Sequence, residues 1–166
     1  DGGGNPTTGN KALFMDGIIS GNGPLNLQQA VDAGDNDRYG NGGGNFYHSS
    51  VVEFTNPGNT YSGVVTVVPY VTGGGSGSYL AINNSLALQF ATLNLANNTG
   101  GQRYAGSNGI FSPLVFNTGI GSATVQNIIG TADIILNGFN ENTYAITADP
   151  VTLILANGSG TYPGNL

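Results

Sequence analysis

The sequence predicts an all-β protein, built either as a solenoid of stacked rungs or as an antiparallel sandwich. Three observations carry this expectation. More than ten apolar runs of about three to five residues recur along the chain, each closed by Gly, Asn, Ser or Pro. Helical signal is nearly absent, the one candidate being Leu27–Ala33, where Leu27, Ala30 and Val31 fall at i, i+3 and i+4 before Gly34 stops the run. The composition supplies turns throughout: 29 Gly, 22 Asn, 15 Thr and 11 Ser make up nearly half of the 166 residues. Val, Ile, Leu and Phe number 42, about a quarter of the chain. That lies above the roughly 20% below which chains fail to fold. A chain of this length can bury a core as one domain, and residues 1–166 are expected to form a single β-rich unit.

The strand-like runs follow in order. Leu13–Met15, Ile18-Ile19, Leu25–Leu27 and Val51–Phe54 come first, then Val64–Val68, Tyr79–Ile82, Leu86–Phe90 and Thr92–Leu95. Leu114–Phe116, Ile134–Leu136, Tyr144–Ile146 and Val151–Leu155 complete the set. In the middle runs Leu86, Leu88, Phe90, Leu93 and Leu95 alternate with Ala, Gln, Thr and Asn. A period of two places the large residues on one face and the small or polar ones on the other. Asn-Gly pairs at 22–23, 41–42, 108–109, 137–138 and 157–158 could turn hairpins, which keeps the antiparallel sandwich open.

Charge and cysteine content exclude several functions. Three basic residues stand against nine acidic ones, a net charge of −6. So few cations cannot neutralise a phosphate backbone, and nucleic acid is not an expected partner. No apolar run approaches the 18 residues of a membrane helix, so insertion of this segment in a bilayer is not expected. The absence of Cys removes disulfides, thiol catalysis and thiolate zinc sites. The chain starts at Asp1 without a leader-like segment, and a processed product or a piece of a longer protein is expected.

An internal repeat favours stacked rungs. Thr55–Val64 and Ala156–Asn165 each follow an alternating strand, and each carries Thr-Tyr-x-Gly at the same offset: Thr60-Tyr61-Ser62-Gly63 and Thr161-Tyr162-Pro163-Gly164. Ile18–Gly21 and Ile128–Thr131 form a weaker pair upstream of them. The chain reads as two degenerate copies of one longer unit. The second copy ends at Leu166, where a strand is expected by analogy with Val64–Val68.

Val51–Val67, with its strand, polar turn, Asn-Thr-Tyr-x-Gly and Thr/Val strand, resembles the autotransporter-associated β-strand repeat of bacterial surface passenger proteins. Ile18–Leu25 resembles the Ile-Ser-Gly-x-Gly-x-Leu stretch found upstream in that family, and Leu80–Leu88 its Asn-Asn-Ser-Ala-Leu segment. Val151–Gly164 is a second, partial match, so that about half the chain is covered. The departures are an insertion at Asp32–Asn45 and the lack of a tight period. The resemblance implies a right-handed parallel β-helix of pectin-lyase-like type, exported and displayed on a cell surface. Leu27–Ala33 is similar to the short capping helix of such folds. Gly and Asn suit the narrow corners of a coil because both tolerate positive φ.

Candidate chemistry is sparse. Asp32, Asp35, Asp37 and Asn41 crowd one Gly-rich loop, and hard oxygen ligands at that density could hold calcium. The EF-hand pattern itself fails, since Phe46 stands where a bidentate Glu belongs, and a solvated loop is the plainer reading. His48 is the only histidine, and no G-x-S-x-G elbow accompanies it. A β-helix polysaccharide hydrolase needs two carboxylates about 5–10 Å apart. Asp35 with Asp37 could supply them, or Glu53 with a neighbouring rung. A lyase would have to draw its cations from Lys11, Arg38 and Arg103. These charges are scattered, so no catalytic residue is assigned and an enzyme is not expected. Phe46, Tyr47, Tyr70, Tyr79, Tyr104 and Phe111 could stack on sugars, although core or strand-edge positions are the commoner fate of such rings.

The expectation from sequence is therefore a structural or adhesive extracellular module, a stiff β-solenoid displaying loops. Two alternatives stand beside it: a subunit that assembles into an extracellular fibre or pilus by strand pairing, and a carbohydrate-active enzyme on the same scaffold. Expected partners are a second copy or a cell-surface carbohydrate. No cofactor is required, and calcium is the one candidate.

Overall fold

The fold follows from a computed structural model that describes residues 12–27, 51–67, 79–95, 112–140, 145–158 and 162–164. Eleven strands fall within these residues: β1 (Ala12–Met15), β2 (Leu25–Leu27), β3 (Val51–Phe54), β4 (Val64–Val67), β5 (Tyr79–Ile82), β6 (Leu88–Leu95), β7 (Leu114–Asn117), β8 (Ser122–Gly130), β9 (Asn137–Asn140), β10 (Ala145–Pro150) and β11 (Thr152–Leu155). They form two sheets, ordered β1-β3-β5-β7-β9-β10 and β11-β8-β6-β4-β2. From β1 to β9, successive strands alternate between the sheets, and each strand pairs with the next but one. All described pairings are parallel except β9 with β10.

Parallel register stacks like upon like. In the first sheet, Met15, Phe54, Ile82 and Phe116 lie in one column, and Leu13, Val52, Leu80 and Leu114 in the next. In the second, Leu25, Val65, Leu93 and Ile128 form one column, with Leu27, Val67 and Leu95 beside it. Apart from Leu13, which is exposed on the edge strand, these columns meet in a single core to which both sheets contribute, so the layering is two-sheeted while the pairing is parallel. Fully burying each such side chain contributes about 1.5–3 kcal/mol, offset by the entropy of ordering the chain.

Over β3, β5 and β7 the outer face of the first sheet is also covered. Glu53, Ala81 and Val115 stack in register there, and all three are buried. Strands covered on both faces lose the clean alternation of a half-exposed sheet, which is why Leu114-Val115-Phe116 reads as a continuous apolar run.

Several elements differ from the sequence expectation. Ile18-Ile19 and Ile134–Leu136 lie outside the strands. β8, the longest strand among the described residues, and β9 form where the sequence predicts no strand. Asn137-Gly138, a candidate hairpin turn under the sandwich alternative, lies inside β9. Leu27 closes β2, and residues 28–33 of the expected helix lie outside the described residues. Leu86, Leu88 and Phe90 do not share a face: Leu88 is buried, whereas Leu86 and Phe90 are exposed. Leu86 stands in the turn before β6, and for Phe90 the cause is a break in register. Leu88 pairs with Val125 and Thr92 with Asn127, so β6 carries extra residues between two pairings that β8 bridges more directly. Such a bulge turns the intervening side chains.

The register of β8 is directly testable. Ile128 is 8% exposed and Ile129 is 43% exposed. Ile128→Thr should lower the stability measured by urea unfolding by about 1–3 kcal/mol. Ile129→Thr should change it by less than about 0.5 kcal/mol. The reverse order would place β8 one residue out of register.

Candidate functional site

The two Thr-Tyr-x-Gly segments make the same contact. Tyr61 Oη donates to the carbonyl of Gly23 at 2.5 Å, 38 residues earlier, and sits 3.1 Å from the carbonyl of Val64. Tyr162 Oη donates to the carbonyl of Ala132 at 2.5 Å, 30 residues earlier. In each case the accepting residue lies two positions after a glycine held at positive φ, Gly21 at 109° and Gly130 at 108°. The structural match therefore aligns Gly21 with Gly130, one residue away from the alignment that the Ile-Ile pairs suggest. Gly63 and Gly164 lie against the tyrosine rings and the same carbonyls. A Cβ on Gly63 would stand 2.7 Å from Tyr61 Cζ and closer still to the Gly23 oxygen, so only glycine fits.

Burial pushes the Tyr61 hydroxyl above its usual pKa of 10.0, with a backbone hydrogen bond from Leu25 pulling the other way. Tyr162 is pushed up to about 12, by burial first and by the charge of Asp133 second. Both phenols thus keep the proton that they donate.

The segment before Tyr61 is tied to three parts of the chain. Asn59 is buried; its Oδ1 accepts from the Ile19 amide at 2.8 Å and its Nδ2 donates to the Ala87 carbonyl at 2.9 Å. The Thr60 amide donates to the Ile19 carbonyl at 3.0 Å and the Ser62 amide to the Gly21 carbonyl at 2.8 Å. Nearby, Asn56 Nδ2 donates to the Asp16 carbonyl at 2.8 Å and Thr55 Oγ1 to Asp16 Oδ1 at 2.6 Å.

Glu53 is the one charged residue buried among those described, at 1% exposure. Its Oε1 accepts from Asn83 Nδ2 and, at 3.0 Å, from Asn117 Nδ2, which lie on neighbouring segments of the same sheet. Glu53 Oε2 and Asn117 Oδ1 are buried and have no hydrogen-bond partner among the described residues. The neighbours of Glu53 are thus amides, and the cluster is a polar ladder rather than a carboxylate pair.

The calcium expectation is corrected. Among the described residues no three His, Cys, Asp or Glu side chains come together in a way that could hold a metal ion. Calcium needs six to eight oxygen ligands, whereas Glu53 is engaged by amides and Asp16 by Thr55. Asp32, Asp35, Asp37 and Asn41 lie outside the described residues, as do His48, Lys11, Arg38, Arg103, Phe46, Tyr47, Tyr70, Tyr104 and Phe111. Tyr79 lies on β5, and its side chain is outside the description. No helix among the described residues is long and apolar enough to cross a membrane.

One surface feature escapes the sequence reading. An open groove is lined by Thr60, Ser62, Phe90 and Gln126. The alternating pattern sets Phe90 on the face of Leu88, and only the bulge in β6 brings its ring to the surface.

Comparison with protein-family models, with curated proteins and with solved structures returns no match. The likeness to the autotransporter-associated repeat therefore rests on the residues quoted for it, and what this chain shows of itself is an all-β module with two sheets.

Because the Tyr-x-Gly clamp depends on close approach, Gly63→Ala should cost about 1–3 kcal/mol in urea unfolding. Gly17→Ala, with open space around it, should stay within about 0.5 kcal/mol of the parent. Equal effects at the two sites would show that the clamp does not constrain the fold.

Proposed function

We propose that the chain is a structural module that lengthens by strand pairing, as a self-assembling subunit of an extracellular fibre. In this reading the two sheets are opposite walls of one right-handed coil. The alternation of strands between sheets and the parallel pairing of every second strand support it, since parallel crossovers are right-handed in nearly all proteins.

The observation that carries the proposal is the character of the outermost strands. β1 and β2 lie at one end of the two sheets, and β10 and β11 at the other. Edge strands present unpaired backbone groups, and most proteins guard them with Lys, Pro or a covering segment. β10 carries Asp149 and Pro150, but β1 and β11 expose apolar side chains. Leu13 is 59% exposed and Phe14 52%, with Ile154 and Leu155 also exposed at the far end. β2 and β11 run in the same sense within one sheet. A second copy could therefore set its β2 beside β11 and continue the sheet, a head-to-tail contact that yields open filaments. An extracellular setting on a bacterial surface, with display of loops as a stiff adhesive module, comes from the sequence resemblance alone.

Sedimentation and negative-stain microscopy of the purified chain test this. Oligomers or filaments that grow with concentration over roughly the micromolar to millimolar range are expected. Leu13→Lys combined with Ile154→Lys should abolish them without unfolding the protein. A monodisperse monomer throughout that range would contradict the proposal.

A further inference from the structure

We infer that Phe90, with Thr60, Ser62 and Gln126, forms a binding platform for a neutral carbohydrate. This site lies on the middle strands of the second sheet, away from the strand-pairing ends, and does not depend on them.

The argument begins with the bulge. An aromatic ring in β6 would bury well over a hundred square ångströms if it faced the core, and leaving it in water forfeits about 1.5–3 kcal/mol. The chain instead departs from register between Leu88 and Thr92, and Phe90 is 45% exposed. Bulges commonly re-aim a side chain beside a functional surface.

What surrounds the ring sets the ligand class. The other three lining residues offer two hydroxyls and one carboxamide, which together supply donors and acceptors in both senses. The side chains of Thr60, Ser62 and Gln126 make no hydrogen bond among the described residues. Their backbones, by contrast, are fixed. The Thr60 and Ser62 amides are bonded to Ile19 and Gly21, and the Gln126 carbonyl accepts from the Asn157 amide at 2.9 Å. The backbone of the platform is therefore held in place, with these polar side chains unbonded among the described residues. No charged residue among those described lines it, and a chain of net charge −6 disfavours anionic ligands. A sugar ring offers the complement: an apolar C–H face for Phe90 and a rim of hydroxyls for the three polar side chains. The groove is open, so a segment of a polysaccharide fits it better than an enclosed small molecule.

The test is an NMR titration of the intact chain with cellohexaose, maltohexaose and chitohexaose, with hexagalacturonate as the anionic comparison. Saturable shifts at Thr60, Ser62, Phe90 and Gln126 are expected with at least one neutral oligosaccharide. Phe90→Ala and Gln126→Ala should each weaken that binding, the first by about tenfold or more, with unchanged thermal unfolding. Four results would overturn the inference: no saturable shift with any neutral sugar, shifts that appear elsewhere on the surface, binding that survives Phe90→Ala, or binding of hexagalacturonate alone. Neither assembly nor its loss in the edge-strand variants bears on this outcome.

Discussion

The carboxamide of Asn59 holds together three segments that the chain visits 40 and 28 residues apart, Ile19 on one side and Ala87 on the other. Parallel strands cannot be joined by tight turns, so each connection must leave its sheet and return. The polar backbone groups at these crossings then need partners from other segments, since a buried group left unpaired costs about 1–3 kcal/mol. Asn59 meets that demand with one acceptor and one donor in opposite directions. The Thr60 and Ser62 amides and the Tyr61 hydroxyl extend the same seam to Ile19, Gly21 and Gly23. The columns of Leu, Val, Ile and Phe can stack in register because this seam fixes where each strand begins.

The seam also accounts for the irregular period. Segments in contact lie 40 residues apart at Asn59 and Ile19, 28 at Asn94 and Thr66, and 30 at Tyr162 and Ala132. Strand register is kept while the connections vary in length. Extra loop residues cost little closure entropy, since each doubling adds only about 0.6 kcal/mol. Strand slippage, in contrast, would turn every core residue outward.

Legibility in the sequence followed the same division. The all-β class, most strands and the equivalence of the two Tyr-x-Gly segments were readable, because alternating apolar residues and Gly-bounded runs report local backbone preference. β8 was missed because Ser122-Ala123-Thr124-Val125-Gln126-Asn127 offers only small or polar neighbours to its few apolar residues, and its stability comes from the strands on either side. β9 was missed because Asn-Gly reads as a turn, whereas packing holds it in a strand beside β7. The period-two pattern sets Phe90 on the face of Leu88 because a bulge leaves no mark in it. The buried Glu53 ladder was also invisible, since Asn83 and Asn117 are distant in sequence and meet only through parallel register. The calcium reading of Asp32, Asp35 and Asp37 rests on their crowding in one loop that lies outside the described residues, and no metal-binding cluster occurs among the described ones.

Asn59→Ala tests the account most directly, read by native-state hydrogen exchange at the Ile19 amide together with urea unfolding. A seam that sets the register predicts faster exchange at Ile19 and a stability loss of about 1–3 kcal/mol. If Ile19 keeps its protection and the unfolding midpoint does not move, the strands hold their register without Asn59, and the seam is a consequence of the fold rather than its cause.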